Sequence, residues 1–537
     1  MPGGLLNIVS YGNQNVILNG NPSKTMFKTT YAKYTNFGLQ KFRIDFDGSR
    51  NLRLTDPSTF TFKMPRYAEL LMDTYLVVTL PTIWSPLRQT NEEQPEPQYE
   101  FRWIDNLGSQ MIKTVTFRLG GQIIQKFSGQ YLLNLVERDF TETQKQLYYN
   151  MTGNISELNN PQLYRDSQNI KEQNTVPVNG YPNAVFDDSF LPQGPEPSIR
   201  ARKLYIPLNI WFTLAAKMAL PLVSLQYNEI YIDVEMRPIN ELFIVRDVSS
   251  ETNNYIQANQ QISDFQFYRF LQPPPNIKLD YSDKRTDWAA DVHLISTYAF
   301  LSEEEAKLFA AKQQQYLIKE VYEYNFQNVT TTNRVKLESL GLVSNWMWYF
   351  QRSDINLRNQ WSNYTNWEYN YLPSPLINYP TQPTQPSYTI TGKFAPENQK
   401  TIMNKWGLLL GGKYRENTLD GGVLQYVEKY TKSKGNLSED VYCYNFCLHT
   451  SPYDFQPSGA INLSKFKNIE FEFTTYQPPR DPSAQVFVIC DPETNEIISV
   501  NSPSWRIYDY NYDLTIFEER YNILTFTSGN AGLMYAR

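Results

Sequence analysis

Apolar and polar residues alternate along most of this chain. Within residues 227–235, Ile230, Ile232 and Val234 fall on one side of an extended backbone, with Glu229, Asp233 and Glu235 on the other. A period of two, built from β-branched and aromatic residues, predicts a strand with one buried face. Residues 37–46 and 59–64 alternate in the same way, and 290–298 less cleanly. Residues 70–80 are mostly apolar, broken by Asp73 and Thr74, which predicts a strand buried on both faces. Residues 111–127 predict a hairpin: two alternating runs flank Gly120-Gly121, and glycine tolerates the positive φ of a two-residue turn. A further strand-like core lies between turn signals within Gly12–Pro22. Later strands are predicted at 316–324, 333–340, 344–351, 441–448, 468–475, 485–489, 508–518 and 521–526.

Helical patterns are few and short. Residues 128–149 predict one short helix, and 214–220 one or two turns. Ser302 followed by Glu305 has the spacing of a capping box, and Glu303 to Glu305 place acids in the first turn of a helix ending near Ala311. Two polar stretches rich in Asn, Pro and Tyr, 150–199 and 352–439, read as long surface excursions. Residues 236–285 hold a polar run and Pro273-Pro274-Pro275, which cannot lie inside a sheet because proline donates no backbone hydrogen bond. These signals divide the chain into an N-terminal arm (1–24), a first β-unit (25–235), a connection (236–285) and a second β-unit (286–537). Many short strands, one major insertion per half and little helix predict an all-β protein of two jelly-roll sandwiches.

Composition narrows the picture. A chain of 537 residues is too long for one ordinary core. Aromatic residues reach 15%, with 39 Tyr, which suits sheets and subunit interfaces. A net charge of -6 gives no support to a nucleic-acid groove. Three cysteines (Cys443, Cys447, Cys490) are too few for a disulfide scaffold and read as buried thiols. The N-terminus lacks the basic and apolar regions of a signal peptide, and no run reaches the ~18–20 apolar residues of a membrane span. The reading is of a soluble protein made in a reducing, cytosol-like compartment.

Candidate chemistry is sparse. Only His293 and His449 could serve a histidine-based triad or metal site, and each reads as structural. Gly407-Leu-Leu-Leu-Gly-Gly-Lys413 has P-loop spacing, but Tyr414 replaces the magnesium-binding Ser or Thr, so it reads as a strand ending in a Gly-Gly turn. Asp45-Phe-Asp-Gly48 lacks the later ligands of a calcium loop and reads as a β-turn. No catalytic residue, metal site or cofactor is assigned. Of six Asn-X-Ser/Thr sequons, Asn150, Asn154, Asn363 and Asn436 fall in or beside the predicted long loops and are the candidate glycosylation positions. Trp361, Tyr364, Trp367 and Tyr369 share one loop. They read as packing for that loop, the alternative being a stacking platform for sugars in a lectin-like surface protein.

Several segments resemble the major capsid proteins of large nucleocytoplasmic DNA viruses. They are Tyr11-Gly-Asn-Gln-Asn-Val-Ile-Leu-Asn-Gly-Asn-Pro22, Leu225-Gln-Tyr-Asn-Glu-Ile230, Leu301-Ser-Glu-Glu-Glu305, Trp346-Met-Trp-Tyr-Phe-Gln-Arg352, Phe455-Gln-Pro-Ser-Gly459 and Ser528-Gly-Asn-Ala-Gly532. They run in order over almost the whole chain, and their flavour is nearest to giant mimivirus relatives. The resemblance implies a double jelly roll, each half an eight-stranded sandwich. It also implies a homotrimer of pseudo-hexameric outline that tiles an icosahedral shell, or a minor capsid paralogue of that subunit. By the same resemblance the partners are further copies of the chain, minor capsid and penton proteins and an internal membrane, with no direct nucleic-acid contact. Assembly is expected in the host cytoplasm.

Overall fold

The computed structural model describes residues 2–85, 99–161, 197–247, 254–262, 265–273, 281–370, 399–453, 456–478, 487–490, 497–501 and 510–535. The outer parts of both predicted excursions, Pro274, Pro275 and Phe455 lie outside the described residues, as does the side chain of Cys490.

Among the described residues, sixteen strands carry the four main sheets. In the first half they are β1 (Phe37–Asp45), β2 (Ser58–Lys63), β3 (Leu70–Leu80), β4 (Ile112–Leu119), β5 (Gln122–Ser128), β6 (Arg202–Pro207), β7 (Ile230–Met236) and β8 (His293–Leu301). In the second half they are β9 (Gln314–Val329), β10 (Thr332–Lys336), β11 (Leu342–Arg352), β12 (Met403–Leu410), β13 (Lys413–Asp420), β14 (Val441–Asn445), β15 (Ile469–Thr475) and β16 (Tyr512–Thr527). The first half pairs as β1-β8-β3-β6 and β2-β7-β4-β5, all antiparallel. The second pairs as β9-β16-β11-β14 and β10-β15-β12-β13. Adding eight to each strand number converts the first order into the second. Each half is an eight-stranded jelly roll, so the fold is a double jelly roll.

Alternation decides which face each strand buries. In β7, Ile230, Ile232, Val234 and Met236 are buried while Tyr231, Asp233 and Glu235 are not. They meet Phe60, Phe62, Val115 and Phe117 in the first core. The second core is aromatic: Trp348 lies 5.4 Å from Trp406 and 5.0 Å from Phe471, centroid to centroid. The predicted Gly-Gly turn joins β12 to β13, with Gly411 at φ +60°, Gly412 at φ +80° and Leu410 opposite Lys413. Such φ values suit glycine and close a two-residue hairpin that follows the strand twist.

Four expectations need correction. First, the strand at 293–301 completes the first half, lying between β1 and β3; Ile295 faces both Arg43 and Tyr75. Second, residues 236–285 are not simply a connection. Phe243–Asp247 pairs with Tyr99–Trp103, and Phe243, Phe267 and Phe270 ring Phe101 at 5.0–6.4 Å. The chain passes to the second half after β8, through helix α3 (Glu303–Ala311). Ser302 is its N-cap residue, but its side chain makes no cap hydrogen bond, so the capping box is not formed. Third, residues 128–149 form two helices, α1 (Gly129–Asp139) and α2 (Glu142–Thr152). Fourth, residues 13–19 are helical turns and not a strand, because no neighbouring strand pairs with them.

Candidate functional site: the joint between the two halves

Chemistry of the catalytic kind finds little support in the geometry. His293 is buried, its Nδ1 2.6 Å from the Asp291 carbonyl oxygen, and His449 is exposed at the far end of the second half's β14 connection. Burial pushes the Cys443 thiol up to about 11, so it stays protonated, and Cys447 is raised for the same reason. The P-loop-like run is a hairpin and leads into a strand, so Lys413 has no helix N-terminus beside it. Asp45 meets Arg43 at 2.7 Å and Arg50 at 3.2 Å, cations where a calcium loop needs an ion. Among the described residues no three His, Cys, Asp or Glu side chains converge on a metal-sized site.

The buried polar chemistry lies where the halves meet. The outer face of β9-β16-β11-β14 packs on β5, α1 and the loop carrying Trp211. Helix α1 begins at Ser128, whose hydroxyl accepts a hydrogen bond from the Tyr131 amide. It starts with Gly129 because a Cβ there would overlap the Ser109 and Ile112 carbonyl oxygens. Its far end delivers Arg138 into the joint. The Arg138 guanidinium donates to Asp139 at 2.8 and 2.9 Å, to Asn345 at 3.1 Å and to Glu519 at 2.6 Å. Glu519 also accepts from Tyr131 at 3.0 Å, Asn345 at 2.9 Å and Lys319 at 3.4 Å. Thr450 closes the group on Asp139 at 2.5 Å.

Arg138, Asp139 and Glu519 are excluded from solvent. Burial alone would push the Glu519 carboxyl up; Arg138 and Lys319 outweigh it and hold Glu519 at about 2. Burial equally opposes the Arg138 charge, and Asp139 with Glu519 keeps it protonated well above its usual range. A desolvated cluster of this kind tolerates the loss of no member. It fixes one relative placement of the halves, because Arg138 comes from the first and Glu519, Lys319 and Asn345 from the second. Sequence reading passed over these residues. The available signal was Glu518-Glu519-Arg520, three charges in the middle of an apolar strand run, and Glu137-Arg138-Asp139 after the apolar turn Leu132 to Val136.

The loop of four aromatics packs across the same joint. Tyr364 is buried and donates to Gln130 at 2.7 Å; Tyr369 is buried and donates to the Tyr255 carbonyl at 2.7 Å. The Trp361 indole donates to the Glu241 carbonyl at 2.9 Å, with the Arg237 guanidinium over its ring at 4.1 Å. Trp367 is half-buried, with the Lys400 ammonium 5.5 Å from its ring centre. The sequons divide by exposure. Asn150 and Asn436 are exposed and Asn154 is half-buried, accepting from Asn159 at 2.8 Å. Asn363 is buried, and its amide donates to the Trp367 carbonyl at 2.9 Å.

The N-terminal arm is the opposite environment. No side chain of residues 2–36 is buried, and Leu18, Phe27 and Tyr34 are almost wholly exposed. Exposed apolar side chains on a single chain mark a surface for another molecule.

Comparison with known proteins accounts for this architecture. Residues 25–272 match the family model of the major capsid protein N-terminus, and 305–532 match that of the large eukaryotic DNA virus major capsid protein. The break between the two matches, residues 273–304, contains β8. The chain is 23% identical over 596 residues to a major capsid protein of Phaeocystis pouchetii virus, with 100% of both chains covered. It is 26% identical over 336 residues to capsid protein 1 of Acanthamoeba polyphaga mimivirus, covering 63% of this chain and 46% of that one. Its fold superposes on a quasi-atomic model of the PBCV-1 virus capsid with TM-score 0.60 and 19% identity, over 96% of this chain and 100% of that one. With both halves matched in order over nearly the whole length, the chain belongs to the major capsid protein family of large eukaryotic DNA viruses.

Proposed function

We propose that this chain is the principal building block of an icosahedral virion shell, a homotrimeric capsomer of pseudo-hexagonal outline. The observation that carries the reading is the repeated strand order of the two halves, fixed in one relative placement by the Arg138–Glu519 cluster. A rigid pair of like units is what a six-sided tile built from three chains requires. The role is structural, without catalysis. The glycan-binding alternative loses its platform, since Tyr364 and Tyr369 are turned inward and Trp361 is engaged by Glu241 and Arg237. The exposed apolar arm suits minor capsid proteins or an internal membrane beneath the shell, and exposed Asn150 and Asn436 suit decoration by sugars. Neighbouring capsomers and penton proteins complete the set of partners, and assembly takes place in the host cytoplasm.

Native mass followed by negative-stain imaging tests the proposal. A particle of about 188 kDa, three times 62.8 kDa, with a hexagonal outline supports it. A chain that stays monomeric at all concentrations, with added arm-binding shell proteins as well as without, counts against it.

A further inference from the structure

Beside the loop of four aromatics, the two halves enclose a polar cavity of about 540 Å³. The first half lines it with Asp105 and Asn106, and the second with Ser362, Tyr364, Lys400 and Glu439. It adjoins a smaller space of about 20 Å³, whose walls include Arg102, Trp103 and Asn359. Asp105, Ser362 and Asn370 line both. The larger cavity has the size of a small-molecule pocket, and the smaller has room for one water or one hydroxyl group.

Several groups around these spaces have no partner among the described residues. Asn359 is buried, and its amide nitrogen donates to the Asn240 and Phe243 carbonyls at 2.9 Å each. Those two bonds fix which way the amide points and leave its Oδ1 as a lone acceptor. Trp103 is buried with its indole N–H unpaired, and the Arg102 Nε–H beside it is unpaired too. The Ser362 hydroxyl accepts from Asn106 and Gln110 at 3.2 Å each, so its own proton remains to be donated. Asp105 is open to the cavity and forms no ion pair. The protein around it nevertheless strips away bulk water and pushes its carboxyl up, with Arg102 acting in the opposite sense. Buried polar groups without partners are uncommon, and three of them round one small space mark a place for a polar guest.

We propose that this cavity binds a small neutral polyhydroxylated molecule of monosaccharide size, with one hydroxyl seated in the smaller space lined by Trp103, Asn359 and Asp105. The choice of ligand follows from the mixture of lone donors and lone acceptors. An anion is opposed by Asp105 and Glu439. A cation has nothing to accept the N–H groups of Trp103 and Arg102. A hydroxyl donates and accepts at once, so it can satisfy Trp103 and Asn359 together. Lys400 stands at the larger cavity, held by Glu439 at 2.7 Å, and supplies a further donor. Recognition here is by hydrogen bonds inside a cavity and not by aromatic faces, which distinguishes it from the stacking platform set aside above. The walls come from both halves, so the site exists only in the joined chain, and a bound ligand stabilises that joined state. The inference goes beyond the shell role and does not depend on it.

The test titrates the full-length chain with a panel of neutral aldohexoses, 6-deoxyhexoses and pentoses by calorimetry, with putrescine and inorganic phosphate as the charged comparison solutes. At least one sugar is expected to saturate a single site per chain and to raise the melting temperature. Asp105→Ala removes the lone carboxylate and should weaken that binding about tenfold or more. Its own melting temperature should not fall, because the carboxylate holds no other part of the fold. Asn370→Trp, at an exposed position lining both spaces, fills the cavity and should abolish binding. Tyr430→Ala, at a site 90% exposed that lines neither space, should bind like the parent. Circular dichroism confirms that each variant is folded. A parent that no sugar saturates overturns the inference. Binding that survives either Asp105→Ala or Asn370→Trp overturns it too, as does tighter binding of putrescine or phosphate than of any sugar. The site lies within one chain, so each of these failures leaves the capsid reading intact.

Discussion

Replacing Arg138 by methionine should loosen the joint more than any surface change. Methionine keeps much of the aliphatic volume but removes every donor that Arg138 extends to Asp139, Asn345 and Glu519. Two carboxylates are then left in a dry site with Lys319 as the remaining cation, 3.4 Å from Glu519. Breaking a buried pair by removing one partner costs about 3–5 kcal/mol. The Glu519 carboxyl gives a second route to the magnitude. Held at about 2 instead of its ordinary 4.5, it contributes about 3 kcal/mol at neutral pH. Its folded-state value is depressed, so that stability is fully present above 4.5 and is lost as pH falls towards 2. In Arg138→Met the carboxyl has lost its main counter-charge, and protonation relieves the variant before it affects the parent. The deficit should therefore be largest at pH 7 and shrink by pH 4. Thermal unfolding of parent and variant at both pH values measures it. A fall on the order of 10 °C at pH 7 is expected, at roughly 2–4 °C per kcal/mol for a unit of ~250 residues. A deficit of the same size at both pH values would show that Arg138 acts through packing alone. No deficit at all would refute the argument.

Asp440 behaves in the opposite sense. Burial pushes its carboxyl up to about 6 from 3.8, so the folded state favours the proton and stability is lost as pH rises through 6. Asp440→Asn should stabilise the chain by up to about 3 kcal/mol at pH 7.5 and by about half as much at pH 5; equal melting temperatures for parent and variant at pH 7.5 would contradict this. Gly435 sits where a Cβ would overlap the carbonyl oxygens of Glu137 and Arg138, while its amide donates to the Arg138 carbonyl at 2.8 Å. Gly435→Ala should cost about 1–3 kcal/mol in denaturant unfolding, an unchanged midpoint being the failing result. In protein recovered from virions, peptide-mapped mass spectrometry should find any sugar on Asn150 or Asn436 and none on Asn363, whose amide is committed to the Trp367 carbonyl; a glycan on Asn363 would show that this loop is not packed as described.

Local pattern determined much of this protein. Alternation in 230–236 and the Gly411-Gly412 turn each state their structure within a few residues, because side-chain direction and positive φ are local properties of the backbone. The repeated plan of strands, insertions and few helices was legible for the same reason, and with it the double jelly roll. Segments matching the capsid family carried the functional reading. The candidate joint was not legible. Residues 293–301 read as a strand in isolation, but its partners are Phe37–Asp45 and Leu70–Leu80, more than two hundred residues earlier, so only the folded sheet assigns it to the first half. The run Glu137-Arg138-Asp139 carries the charges of a solvated helix end, yet the second half removes it from water and supplies Glu519 and Asn345 in exchange. Asn363 looked accessible because its loop is polar, and it is buried because the same loop spends Tyr364 and Trp361 on the neighbouring half. Periodicity tells which side of a strand is apolar. What covers that side, whether its own sandwich, the other half or another chain, depends on contacts between segments far apart in sequence, and these exist only in the tertiary structure.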